Sequence, residues 1–571
     1  MHDSVSILER SSFAHKRKLM IEFGALNWSI VLLYIVANLG LGWAMSRRVK
    51  TAEDYYLGDR SAPWWAIGIS VIATYVSALS FLGGPAWAYG SGMAALAIHV
   101  NYALVIFVCI VFFIPFFFNS GVASIYEYLE RRFGVASRVV MGFLFMFTMT
   151  VGAASILTAT AFVITFITGI SATSAIVIMA VIVVAYTMMG GMNAVIWTDV
   201  LQGIILIFGA FVVLGSLLSQ IGPFTEALSF LDMHGKLNPI NTDFDFSIPP
   251  TIWAGVFAMT LYHITVYGAN QFMVQRALAA KNIGDAKKSY MMMGFAAFFL
   301  YFMFFLIGAL LFVYYKGEPF AQPNQIILIF SNSLAIPGLL GFIAAAIMSA
   351  SMSSTSSALN SLSTITVTDF YQKFVNTDAD EAHYLFMSRV FTVFWGLAII
   401  PIAMAFAGGT GSILEVLSKV GSYVVGAKLC MFGMGFFSKH VTQRGLLIGV
   451  VAGFLGLLFF VPLDVFKPII DPLWQALGLE RPKIAWPWYA VIAGGINFVV
   501  AWSASVMLDG FKKDWHQHSV PGQIKWFEDQ GKDMKEDGWY IVPGKVEPVV
   551  WLLPVFFILI LVFLFWFGTL G

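Results

Sequence analysis

The feature that most limits what this chain can become is a succession of about fourteen apolar stretches, each near the roughly 20 residues that a helix needs to cross a bilayer. With 59% hydrophobic and only 11% charged residues over 571 positions, no single soluble core could bury so much apolar surface. The spans fall at 27–46, 64–89, 92–117, 137–168, 173–190, 195–219, 251–274, 290–315, 335–366, 388–407, 412–436, 443–462, 486–508 and 549–568. The fold class they predict is an all-α membrane protein forming one transport-sized domain over 1–571. A net charge of +1 implies no nucleic-acid partner, and nothing points to an obligate protein partner. Cys109 and Cys430 lie inside spans and predict neither disulfide nor metal cluster.

Basic residues give the orientation. Numbered in order, the odd loops hold Arg47, Arg48, Lys50 and Arg60; Arg131, Arg132 and Arg138; Arg276, Lys281, Lys287 and Lys288; Lys373 and Arg389; Lys439 and Arg444; and six lysines between 512 and 545. The even loops and tails hold nine. The positive-inside rule puts the odd loops in the cytoplasm and both termini outside, against the basic tail of Arg10, Lys16, Arg17 and Lys18. The stretch Trp28–Met45 has no small-residue cleavage pattern and is expected as a retained helix. Segment 509–548, charged and without apolar period, is expected as a cytoplasmic loop too short for an enzyme domain.

Two spans carry interruptions of the kind that mark inverted-repeat transporters. One contains Gly83-Gly84-Pro85; five helices later, 251–274 has a polar middle with Tyr262, His263, Thr265, Tyr267, Gly268, Asn270 and Gln271. The resulting organisation is an extra helix at 27–46, a five-helix repeat at 64–219, a second at 251–436, and three further helices in 443–568. Close packing at glycine is the alternative for either interruption.

Ser349 to Ser357 is the most unusual run, seven of nine side chains bearing a hydroxyl in an otherwise apolar helix. Ala350, Ser353 and Ser354 share one face, and Ser353, Ser356 and Ser357 repeat the spacing one turn on. Such clusters, with carbonyls freed by an unwound helix, suit a small hard cation; helix packing is the other reading. Asp199, just inside its span, needs protein, water or an ion as partner, unless it is a solvated carboxylate at a helix N-terminus. His99, His263, Lys419 and Lys428 are the other ionisable groups within spans. The lysines, nine residues apart, point to nearly opposite sides, so at most one faces a central cavity; snorkelling is the alternative for each. No metal-ligand spacing, nucleophilic triad or phosphate loop is present, so no enzyme is predicted.

The segments Thr51-Ala52-Glu53-Asp54-Tyr55-Tyr56-Leu57-Gly58, Tyr126 to Phe133, Gly190-Gly191 to Ala194-Val195-Ile196-Trp197-Thr198-Asp199-Val200, Asn270-Gln271 to Gln275-Arg276, and Ala358-Leu359-Asn360-Ser361 together resemble the sodium:solute symporter family over most of the chain. The resemblance implies a fourteen-helix, leucine-transporter-like fold with two broken helices, set in a bacterial inner membrane. It implies sodium-coupled import of a small solute, with one or two sodium ions per cycle. One sodium position would use Ala73, Val76, Ala350, Ser353 and Ser354; a second, Asp199 with Ser353, Ser356 and Ser357. For the solute, Tyr75, Ser77, Ser80, His99, His263 and Ser418 match cavity positions. The sugar-binding set of relatives is replaced at Ser80, His99, His263, Ala297 and Ser418, and the arginine of sialic acid relatives has no counterpart in 137–168. A sugar, sugar acid or other organic anion is expected, with Lys419 or Lys428 pairing to an acidic group. A proton-coupled carrier using Asp199 or a histidine, and a non-transporting sensor, are the rival expectations.

Overall fold

The computed structural model describes residues 23–320, 322–408 and 413–571. Among the described residues it is helical almost throughout, and ten helices there are long and apolar enough to cross a membrane, or eleven if one bent pair counts as a span. In chain order these and their shorter companions are α1 (Ala25–Ser46), α2 (Trp64–Tyr75), α3 (Ala78–Ser91), α4 (Met93–Ser120), α5 (Val135–Thr168), α6 (Ala172–Leu218), α7 (Ala254–Tyr267), α8 (Gln271–Leu278), α9 (Ile283–Tyr314), α10 (Leu339–Val375), α11 (Glu381–Gly408), α12 (Ile413–Phe437), α13 (Gln443–Phe460), α14 (Tyr489–Asp509), α15 (Val520–Asp529) and α16 (Leu552–Phe567).

The first interruption is real but displaced. α2 and α3 meet at 56°, and the bend falls at Val76 and Ser77, not at Gly83-Gly84-Pro85. Pro85 sits inside α3, where the small residues serve packing: a Cβ on Gly308 of α9 would lie 2.2 Å from the Pro85 carbonyl oxygen. The second interruption lies where the polar residues predict it. α7 ends at Tyr267 and α8 opens after Asn270, whose side chain caps the amide of Phe272.

The spans 173–190 and 195–219 are two helices that meet at the non-helical Gly191 (φ 52°, ψ −144°) and are labelled together as α6. Only glycine suits that site, because a Cβ would stand 2.7 Å from the Tyr55 carbonyl oxygen. Further along α6, Gly203 lets α2 approach and Gly209 lets α10 approach: added methyls would lie 2.9 Å from Ile69 and 2.7 Å from Ala346. These contacts clamp the α6 segment bearing Asp199 between the first broken helix and the serine helix.

Segment 509–548 is more ordered than its composition predicts. Ser519 caps α15, and β1 (Lys535–Glu536) pairs antiparallel with β2 (Trp539–Tyr540) around Asp537-Gly538, both with positive φ. The hairpin is fastened to the helices. Lys287 of α9 bonds to the Tyr540 carbonyl at 2.8 Å and pairs with Glu547 at 2.5 Å, and Tyr128 bonds to the His518 carbonyl. The basic tail at Arg10 to Lys18 lies outside the described residues.

Candidate functional site: a broken helix facing a serine helix

The bend in α2–α3 turns two amides away from their helical acceptors. Ser77 N–H donates to the Tyr75 carbonyl and Ser80 N–H to the Ser77 carbonyl. The carbonyls of Ala73 and Val76 thereby lose the donors a continuous helix would supply, and both residues are buried. On α10, every side chain from Ser349 to Ser357 is buried. Ser354 donates its hydroxyl to the Thr74 carbonyl at 2.8 Å and to that of Ala350 at 3.1 Å. The first predicted set, Ala73, Val76, Ala350, Ser353 and Ser354, thus falls at one junction of oxygen-rich groups.

Asp199 is fully buried, which excludes the solvated carboxylate. One oxygen accepts from Ser353 at 2.6 Å; the other accepts from Ser70 at 2.5 Å, Thr74 at 3.1 Å and the Arg276 guanidinium at 3.2 Å. Arg276, also fully buried, bonds further to Ser70, to the Phe272 carbonyl and to Ser357. Of the second predicted set, the structure brings together Asp199, Ser353 and, through the guanidinium, Ser357. Ser356 turns back to the Ser353 carbonyl of its own helix at 3.0 Å.

Ser70, Thr74 and Arg276 are missed by sequence reasoning. Arg276 counts there as a loop charge, because hydropathy falls at Gln275 and Arg276, yet α8 carries it into the core. Ser70 and Thr74 stand at i and i+4 in an apolar helix, the spacing that identified the serines on α10.

Beside this junction lies a cavity of about 770 Å³. Its lining includes Thr74, Ser354, Ala358 and Asn270 beside the helix breaks, and Pro249, Ile484 and Trp486 in the segments that precede α7 and α14. Tyr75, Ser77, Ser80, His99 and His263 all line it. Ser418 and Lys419 lie where side chains are outside the described residues. Lys428 lines the cavity too.

The polar wall is prearranged. Asn101 gives its amide to the Gly255 carbonyl, so its oxygen faces His263 Nδ1 at 2.8 Å and keeps a proton there. His263 Nε2 then accepts from the Tyr75 hydroxyl at 2.8 Å. His99 stacks on Tyr301 with ring centroids 3.9 Å apart, and its Nδ1 lies 2.6 Å from the Tyr102 hydroxyl. Ser80 meets the Tyr301 hydroxyl at 3.2 Å. Flat rings edged with hydroxyl and imidazole groups suit a small polar organic molecule.

Residues 55–453 match the sodium:solute symporter family. The chain belongs to this family. A sodium/sialic acid symporter of Aliivibrio fischeri is 31% identical over 75% of this chain and 86% of its own length. A sodium/glucose cotransporter of Vibrio parahaemolyticus is 28% identical over 80% of this chain and 89% of its own. Among solved structures, a substrate-bound outward-open state of a Na+-coupled sialic acid symporter superposes with a TM-score of 0.76 at 26% identity, covering 86% of this chain and all of the other. The family consists of transporters and not of enzymes, so the protein is a multi-pass membrane transporter.

Proposed function

We propose that this protein imports a small organic solute, from the class of sugars, sugar acids and other organic anions, by coupling it to sodium entry through alternating access. The observation that carries this reading is the junction where the break at Val76 and Ser77 leaves the Ala73 and Val76 carbonyls without helical donors, while Ser354 of the serine helix bonds to the Thr74 carbonyl between them and the Thr74 hydroxyl meets Ser353. Freed carbonyls and neutral hydroxyls are the ligands a singly charged hard cation takes. A sodium ion there ties α2–α3 to α10. It favours whichever state holds those two elements at this separation, and that differential affinity is the coupling.

The hairpin-bearing face, with its lysines, is cytoplasmic, so the cavity-lining Trp486, at the opposite end of α14 from that segment, lies on the outer side. Both termini then lie outside, in a bacterial inner membrane. The chain follows the five-plus-five repeat of a fourteen-helix fold, at 64–219 and 251–436, with 27–46 and 443–568 as additions. Solute enters beside Tyr75, Ser77, Ser80, His99 and His263, with Ser418 as a further contact. In this conformation Arg276 already neutralises Asp199. A second sodium at Asp199, Ser353, Ser356 and Ser357 therefore requires Arg276 to withdraw, and one or two ions move per cycle accordingly.

The test is uptake by purified protein in proteoliposomes, screening labelled sugars, sugar acids and short carboxylates under an imposed inward sodium gradient. Accumulation that needs sodium supports the reading. Accumulation driven by a proton gradient alone overturns it in favour of a proton-coupled carrier.

A further inference from the structure

A second cavity of about 650 Å³ lies toward the hairpin-bearing segment. It is lined by Phe432, Phe437, Ser438, Lys439, His440 and Trp515, at the cytoplasmic-side end of α12 and the start of segment 509–548. Two side chains, Thr265 and Lys428, line both this cavity and the larger one. They form the partition between them. The Thr265 hydroxyl is engaged by its own helix, donating to the Tyr262 carbonyl at 2.8 Å. Lys428 differs: it is buried, with 6% of its surface exposed, and no hydrogen bond or ion pair reaches it among the described residues.

Lysine is otherwise well provided for inside this protein. Lys287, which is fully buried, is paired with Glu547 and a backbone carbonyl. A buried ammonium without a counter-charge is costly, and within a membrane such a group faces a water-filled path or a ligand. Lys428 is also the single formal charge that the described lining residues of the larger cavity present.

We infer that Lys428 binds the carboxylate of an anionic solute and, as the charge common to both cavities, keeps hold of it as access passes from one side to the other. This deepens the proposed symport by narrowing its substrate to organic acids, and it rests on that reading for the driving ion. A lysine suits the task because its flexible stem swings a point charge between two compartments, where the rigid guanidinium fork of arginine would fix one geometry. The tyrosine and imidazole groups around Tyr75 and His263 would take the uncharged remainder.

The experiment compares acid and neutral pairs, gluconate with glucose and N-acetylneuraminate with N-acetylmannosamine, together with lactate. Proteoliposomes of wild type, Lys428→Met and Lys428→Arg are assayed in sodium and in choline. Wild type should accumulate an acid and not its neutral counterpart. In Lys428→Met the half-saturation for that acid should rise at least about thirtyfold, as for truncation of a buried charge pair. Lys428→Arg should recover part of the affinity. An unchanged sodium-induced rise in melting temperature for Lys428→Met certifies its fold. Sodium-driven uptake of neutral compounds alone, acid uptake indifferent to Lys428→Met, or chloride competing with no acid carried would each overturn the assignment. Acid uptake that depends on Lys428 but ignores sodium would leave Lys428 in place and sink the symport.

Discussion

Replacing Arg276 with methionine probes the charge balance beneath the serine helix. The guanidinium stands 3.2 Å from a fully buried Asp199 carboxylate. At an effective dielectric of about 20, that separation corresponds to about 5 kcal/mol, within the ~3–5 kcal/mol typical of breaking a buried pair. Arg276→Met leaves Asp199 with only the hydroxyls of Ser70, Thr74 and Ser353, so in choline the variant should unfold at a markedly lower temperature than wild type. If the vacated position accepts sodium, saturating the ion a hundredfold above its Kd restores about 2.7 kcal/mol. The sodium-induced rise in melting temperature should then be larger for the variant than for wild type. Asp199→Asn combined with Arg276→Met should recover stability in choline and lose the extra sodium response. Thermal unfolding of purified protein in matched sodium and choline salts reads all three proteins. Wild-type stability of Arg276→Met in choline, or an equal sodium response, would refute the reasoning.

Ser354→Ala removes a hydroxyl at the break and should raise the sodium concentration for half-maximal uptake by about tenfold, or about 1.4 kcal/mol, with little change at saturating sodium; sodium titration of uptake measures it. Glu130, on the short helix Ile125–Arg132, is partly buried, which opposes its ionisation. Hydrogen bonds from Lys373 and Arg138 outweigh that and hold its carboxyl below the ordinary value. A depressed carboxyl stabilises the fold above its unfolded pKa and loses that contribution as pH falls through the folded one. Melting temperatures should therefore decline on acidification below about pH 4.5, and Glu130→Gln should flatten part of that decline. Gly191→Ala combines a positive φ with a 2.7 Å clash on the Tyr55 carbonyl and should cost about 2 kcal/mol or more, read by thermal unfolding. Glu547→Ala strands the buried Lys287 ammonium and should open the β1–β2 hairpin to limited proteolysis while leaving the helices resistant.

Much of this was legible because membrane helices announce themselves one residue type at a time. The spans emerge from apolar run length, and the serine run stands out because hydroxyls are rare company for Ile343 to Ile347. The position of the first break is less legible in composition. Glycine and proline at 83–85 draw the eye, but the chain bends at Val76 and Ser77, where the determinant is tertiary: Ser354, 280 positions away, captures the Thr74 carbonyl. Only the family resemblance points to Ala73 and Val76. The Arg276 partnership is invisible for the opposite reason, since a buried arginine lowers local hydropathy and reads as a span's end. The hairpin at Lys535–Tyr540 has a local signal, the Asp537-Gly538 turn beside Trp539 and Tyr540, that a reading weighted to net charge passes over.

The claim that sodium binds between the broken helix and the serine helix is tested most directly by equilibrium binding of radioactive sodium to purified protein, comparing wild type with Ser353→Ala, Ser354→Ala and their combination. The account predicts saturable binding in wild type, weakened in each single variant and abolished in the double variant while its fold persists. Undiminished binding in the double variant would place the ion elsewhere and contradict it.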